Sequence, residues 1–242
     1  MGAGGVNDRG RAGGRARARK SLSVPDVYRR LRRRRGAAAW WRGTPFEVCV
    51  GAILVQNTAW ANVEKAMDAL RRRGLLSYRR LREVPVDRLA RLIRSSGTYK
   101  VKARRLAAFL AFLGREFGGR VAAMSREEPR DLRARLLSVP GIGPETADSI
   151  ALYAARVPLF VVDAYTRRIF SRLGLIGGRE PYDELQRFFM ERLPRDTALY
   201  SDYHAQIVRL AQGVCRTRPL CERCPLDGLC PKRGVAGVGG VA

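Results

Sequence analysis

The sequence predicts an all-α protein, and three observations carry that expectation. No stretch of the 242 residues alternates apolar and polar side chains as a half-buried strand would. Around a tight Pro140-Gly141-Ile142-Gly143 turn, apolar residues recur at helical spacing on both sides. They are Leu132, Leu136 and Leu137 before the turn, then Ala147, Ile150, Ala151 and Ala154 after it. Asp163, after the apolar run Leu159 to Val162, stands where a helix N-cap belongs.

The elements follow in order. Val24 to Arg35 reads as a helix that starts near Ser23 or Pro25, and residues 37–45 hold Trp40, Trp41 and a turn. Pro45 to Leu70 is a helix pair with the apolar segment Phe46–Val55 at its head, and Arg88 to Ser95 is a short amphipathic helix. Gly97-Thr98-Tyr99 makes a turn before a long helix, Lys102 to Phe117. The hairpin follows over residues 132–155. Gly141 and Gly143 allow positive φ and close approach of another backbone, and the unpaired N–H groups that open the second helix suit a phosphate oxygen. Helices over Ala164–Leu173, Tyr182–Leu193 and Tyr200–Gly213 complete the chain before its cysteine-rich end.

Composition narrows the partners. Basic residues outnumber acidic ones 47 to 22, for a formal net charge of +25. Such a surface attracts polyanions. Arginine dominates, with lysine only at positions 20, 65, 100, 102 and 232, as a GC-rich coding bias would produce; bias does not explain the excess of base over acid. Residues 1–22 read as a disordered basic arm without a secretory signal. The arm either adds phosphate contacts or is upstream sequence outside the true start. Residues 233–242 read as a flexible tail. No apolar stretch reaches membrane-spanning length, so the expected location is the cytoplasm, on a bacterial nucleoid.

Cys215, Cys221, Cys224 and Cys230 form C-x5-C-x2-C-x5-C, while Cys49 sits apart in an apolar helix. Four clustered cysteines in a cytosolic chain argue for a metal over disulfides. Zinc usually takes two short knuckles, and here only one pair is close. The wide-narrow-wide spacing suits a larger [4Fe–4S] cubane, whose role would be to staple the C-terminal loop.

Turn, spacing, aspartate and cysteines together resemble the helix-hairpin-helix DNA glycosylases, over roughly residues 24–232. The usual cysteine pattern there has a first gap one residue longer. The resemblance implies two helical domains. One is a six-helix barrel over residues 46–157, and the other is an Fe–S cluster domain built from residues 23–45 and 158–232. The base pocket would lie in the cleft between them, with Asp163 at its mouth. It also implies double-stranded DNA with damaged bases as partner, gripped by Gly141, Ile142, Gly143, Glu145 and Thr146, and a monomeric enzyme. Tyr99 and Lys100 belong to a turn that lies against DNA in relatives, with Thr98 at the wedge position.

Within that resemblance Asp163 is the catalytic carboxylate, which stabilises an oxocarbenium-like sugar and orients or deprotonates water. A bifunctional enzyme also needs an amine for a Schiff base. In endonuclease III that lysine stands two residues after the second hairpin glycine, where this chain has Glu145, and no lysine occurs between Lys102 and Lys232. Glu145 reads mainly as a first-turn acid favoured by the helix dipole. The segments Trp40 to Glu47 and Ile53 to Trp60 are similar to the bacterial 3-methyladenine DNA glycosylases, in which aromatics at these places stack on the extruded base. Trp40, Trp41 and Trp60 would form that pocket, and Gln56 would fill the gap left by the base. His204, the single histidine, reads as structural. The expected function is a monofunctional glycosylase for alkylated purines. The alternatives are an endonuclease III-like glycosylase and lyase for oxidised pyrimidines, and a non-catalytic Fe–S DNA-binding protein.

Overall fold

The computed structural model describes residues 22–37 and 43–235, and every element among them is helical or irregular. Trp40, Trp41, nearly all of the basic arm and the tail beyond residue 235 lie outside the described residues.

Two helical groups pack into one continuous apolar core. In the first, α2 (Pro45–Leu54) is apolar on every side, which suits a central helix. Its start is fixed by chemistry legible in the chain. Thr44 Oγ1 accepts from the Glu47 N–H at 3.3 Å, Glu47 accepts from the Thr44 N–H at 2.7 Å, and Pro45 opens the first turn. Around it lie α3 (Trp60–Arg71), α4 (Tyr78–Arg82), α5 (Val86–Leu92), α6 (Tyr99–Phe117), α7 (Pro129–Leu137) and α8 (Pro144–Ser149).

The second group joins α1 (Val24–Arg35) to α9 (Ala164–Arg172), α10 (Tyr182–Met190) and α11 (Thr197–Gly213). Its core is aromatic. Phe160 stacks on Phe189 at 4.4 Å between centroids, and Tyr200 and Tyr203 meet Phe160 edge-on. Tyr203 donates its hydroxyl to the Val24 carbonyl at 2.7 Å, and Tyr28 donates to Asp202 at 2.7 Å, so α1 is tied to α11 by buried polar bonds.

Several boundaries differ from the sequence reading. The long helix starts at Tyr99, so Tyr99 and Lys100 form its first turn. Gly97, at φ 82°, supplies the break one residue pair earlier. The helix expected over Arg88–Ser95 runs Val86–Leu92 and ends in a 3₁₀ turn, Arg94–Ser96. The last long helix begins three residues early, because Asp196 caps it through the N–H groups of Ala198 and Leu199. The short α4 was not expected at all: it buries only Leu81 and has no apolar period to show.

The hairpin's second helix carries the main surprise. After Ser149 it widens into a π-helical turn, Ile150–Ala154, closed by the Ala155 N–H on the Ile150 carbonyl at 3.0 Å. Just before it, Asp148 is fully buried. Arg133 of α7 donates to it at 2.9 Å and Gln186 of α10 at 2.7 Å, while Gln186 also holds the Phe160 carbonyl at 2.8 Å. Burial pushes the Asp148 carboxyl up to about 6, against the pull of Arg133, Tyr182 and Gln186.

That shift has a testable sign. Asp148 binds its proton more tightly folded, near 6, than unfolded, near its ordinary 3.8, so its contribution to stability is greatest below the lower value and is lost as pH rises through about 6. Unfolding free energy measured for wild type and Asp148→Asn should therefore converge at acid pH and change relative to one another across this window. Parallel curves would show that Asp148 titrates normally.

Candidate active site

Asp163 occupies the N-cap of α9 in extended conformation. Its Oδ1 accepts from the Thr166 N–H at 2.6 Å and from the Thr166 hydroxyl at 2.8 Å. Its Oδ2 lies 3.4 Å from His204 Nε2, and His204 Nδ1 lies 2.6 Å from the Tyr153 hydroxyl. The three side chains come from α9, α11 and the π turn, and all are largely buried. When Tyr153 donates to Nδ1, the imidazole carries its proton on Nε2, on the side of the carboxylate. Burial alone would raise the Asp163 carboxyl. The bond from His204, followed by the two bonds from Thr166, outweighs it and holds the carboxyl below its usual range. Asp163 is thus a nearly buried group kept as an anion.

The hairpin stands beside it. Val139 and Ile142 point into the core, Gly141 takes φ 85°, and the Ile142 N–H closes the turn on the Val139 carbonyl at 3.0 Å. A Cβ on Gly141 would meet the Arg105 side chain, whereas one on Gly143 would meet nothing, so the backbone at Gly143 is open. Glu145, in the first turn of α8, is exposed. Its carboxyl is nonetheless raised, first by the protein it lies against and then by the negative charge of Asp163, with His204 opposing. The first turn of α8 therefore carries a carboxyl that senses Asp163.

Other expected site residues are drawn together by polar clasps. Gln56 donates to the Gly141 carbonyl at 3.1 Å and to the Thr146 hydroxyl at 2.9 Å, and its Oε1 accepts from Arg105. The loop after α2 is thus tied to the hairpin. Lys102 is buried and donates to the Leu54 and Ser96 carbonyls, which ties the same loop to the turn before Tyr99 and Lys100. Its ammonium is spent on structure, and burial lowers its pKa. Lys100 is exposed on the first turn of α6. Trp60 opens α3 with 40% of its surface exposed, its indole N–H bonded to Glu64 at 2.9 Å.

The cysteine loop is held by α9. Arg168 donates to the Cys215 carbonyl at 3.0 Å, and Arg172 donates to Cys215 Sγ at 3.3 Å and to the Arg216 and Thr217 carbonyls. The Lys232 N–H points at Cys230 Sγ at 3.4 Å. Burial raises the Cys224 and Cys230 thiols, and the neighbouring sulfurs raise both further. Among the described residues no three His, Cys, Asp or Glu side chains converge on one point where a single metal ion could sit.

Residues 50–195 match the model of the HhH-GPD superfamily base excision DNA repair protein. The chain belongs to this superfamily. It is 44% identical over 200 residues to a protein named as a DNA repair glycosylase in Methanocaldococcus jannaschii, covering 82% of this chain and 91% of that one. A non-covalent endonuclease III–DNA complex superposes with TM-score 0.73 at 26% identity, covering 86% and 94% of the two chains. The 3-methyladenine DNA glycosylase of H. pylori, bound to 1,N6-ethenoadenine, gives 0.70 at 28% identity, covering 79% and 98%.

This HhH-GPD member is therefore a DNA glycosylase of base excision repair, all-helical as its sequence implies. The residue beside Asp163 that sequence reasoning did not place there is His204. A lone histidine in an apolar stretch of α11 carries no signal of its own. Only the fold shows that it reaches the N-cap of a helix about forty positions earlier.

Proposed function

We propose that this glycosylase is monofunctional and hydrolyses the N-glycosidic bond of an alkylated purine, of the 3-methyladenine kind, with Asp163 as the catalytic carboxylate. One observation carries the reading. The hairpin position that bears the lyase amine in endonuclease III is Glu145, and the charges acting on Glu145 are Asp163 and His204. The lysine nearest in sequence, Lys102, is buried and doubly bonded.

The chemistry follows. As the base leaves with the bonding electron pair, positive charge develops on the sugar, and an anion held beside it stabilises that charge. Asp163 suits this role because its environment keeps it ionised despite burial. Water then forms the new bond to the sugar carbon and passes its proton to the Asp163 carboxylate. The exposed face of Trp60, with Trp40 and Trp41, would select a cationic base by stacking. The fold likeness to the H. pylori enzyme supports this substrate class. The fold likeness to endonuclease III favours the second reading, oxidised pyrimidines with strand cleavage, which needs an amine this site does not show.

The two helical groups would serve as two lobes, split as residues 46–157 against 23–45 with 158–232, gripping duplex DNA as a monomer on the nucleoid. Gly141 to Thr146, with Tyr99 and Lys100, would meet phosphates. Cys215, Cys221, Cys224 and Cys230 would hold a [4Fe–4S] cluster, supported by their spacing and by the N–H donors aimed at sulfur. When bound it supplies a cross-link for the C-terminal loop.

A panel of duplexes carrying methylated purines, ethenoadenine, uracil or thymine glycol should show release of the alkylated base. Strand breaks should appear only after alkali, and borohydride should trap no covalent complex. Thymine glycol excised with coupled cleavage, and no methylated purine released, would transfer the enzyme to the endonuclease III reading. Asp163→Asn should abolish excision yet retain DNA affinity, because the amide can still cap α9 but carries no charge. Loss of binding in that variant would make Asp163 a structural residue. Protein purified anaerobically should be brown and hold iron; stoichiometric zinc without iron would refute the cluster.

A further inference from the structure

We propose that His204, set by Tyr153, is a positioning residue that aims and holds the Asp163 carboxylate for base excision. The inference rests on Asp163 being the catalytic carboxylate. The N-cap bonds engage only Oδ1, through Thr166. They would fix the helix start in any protein. What directs the other oxygen is His204 Nε2, 3.4 Å from Oδ2.

A histidine that only filled space would be a poor choice here. It is buried with 6% of its side chain exposed, and a buried imidazole costs free energy unless both ring nitrogens find partners. Its partners are specific: the Tyr153 hydroxyl on Nδ1 at 2.6 Å and Asp163 on the other side. Tyr153 in turn sits in the π turn Ile150–Ala154, a local departure from α geometry within the hairpin's second helix, of the kind found often at functional sites. The relay therefore links the hairpin, α11 and the catalytic aspartate, which come from both helical groups. With the tyrosyl hydroxyl donating to Nδ1, the imidazole turns Nε2–H toward the carboxylate and cannot rotate away without losing the Tyr153 bond.

The charged and titratable groups facing this relay are Glu145 from α8, Tyr153 from the π turn and Asp163 at the cap of α9. From α1, Tyr28 and Arg32 face Asp202 instead.

The test compares His204→Phe, His204→Gln, Tyr153→Phe and Asp163→Asn. Single-turnover excision is followed against pH on the duplex that wild type cleaves best, with affinity for an abasic-analogue duplex and melting temperature measured beside it. His204→Phe should slow excision by roughly 10–100-fold, the range for residues that orient another functional group. It should also shift the acid limb of the rate profile to higher pH, since Asp163 loses the partner that lowers its pKa. His204→Gln, whose amide N–H can still reach Oδ2, should restore most of the rate and the position of the limb. Tyr153→Phe should show a smaller change in the same direction. Affinity for the abasic duplex should not change. If Phe and Gln variants are equally slow with an unmoved acid limb, or if the rates merely follow melting temperature, His204 is a packing residue and the proposal fails. Should Asp163→Asn remain active, it is the reading of Asp163 that fails. An inactive Asp163→Asn beside a His204→Phe of wild-type rate and profile sinks only the relay.

Discussion

The buried carboxylate of Asp148 is the constraint on which the rest of this molecule depends. It collects Arg133 from α7 and Gln186 from α10, and through Gln186 it reaches the backbone at Phe160. A charge in a dry interior is tolerable only if partners surround it, and those partners here belong to both helical groups. The carboxylate thus sets where the hairpin stands relative to the extended segment that ends at Asp163. The Tyr182 hydroxyl adds to the same register by accepting from the Val162 N–H at 3.3 Å. One turn further along the hairpin helix, the π turn brings Tyr153 to His204, so a structural node and a candidate catalytic node are neighbours on one element.

Helix α9 joins two further features. Its N-cap is Asp163, and two turns later Arg168 and Arg172 hold the carbonyls and one sulfur of the cysteine loop. The nine-residue helix therefore connects the candidate reacting centre to the candidate cluster. Arginine is the apt residue for the second task, because one planar guanidinium can satisfy several carbonyls at once. The arginine excess seen in the composition is in these cases built into the fold and is not simply a cationic surface.

The contrast between the two carboxyls at the site defines what chemistry is available. Asp163 is pushed down by His204 and Thr166, and Glu145 is pushed up by its surroundings and by Asp163. An ionised group beside one that more readily holds a proton is the arrangement hydrolytic sites use, while a Schiff-base mechanism requires an amine. The polar clasps of Gln56 and Lys102 keep the loops that flank this pair in place by spending side chains on backbone carbonyls.

By itself the sequence determined the all-helical class, the hairpin and the caps near Ser23 and at Asp163, because these follow from local rules. Thr44 with Glu47, Ser23 with Asp26, and Asp163 with Thr166 cap their helices through neighbours within three positions. The family followed from the turn, the aspartate and the cysteine spacing, each of which is a short pattern. The tertiary structure alone decided which distant residues meet. His204 and Asp163 are paired across 41 positions and Gln56 and Thr146 across 90, distances over which no periodicity carries information. The π turn and α4 were hidden for a related reason. Each owes its form to packing against the rest of the chain, Tyr153 against His204 and Leu81 in the core, and propensity alone does not specify either.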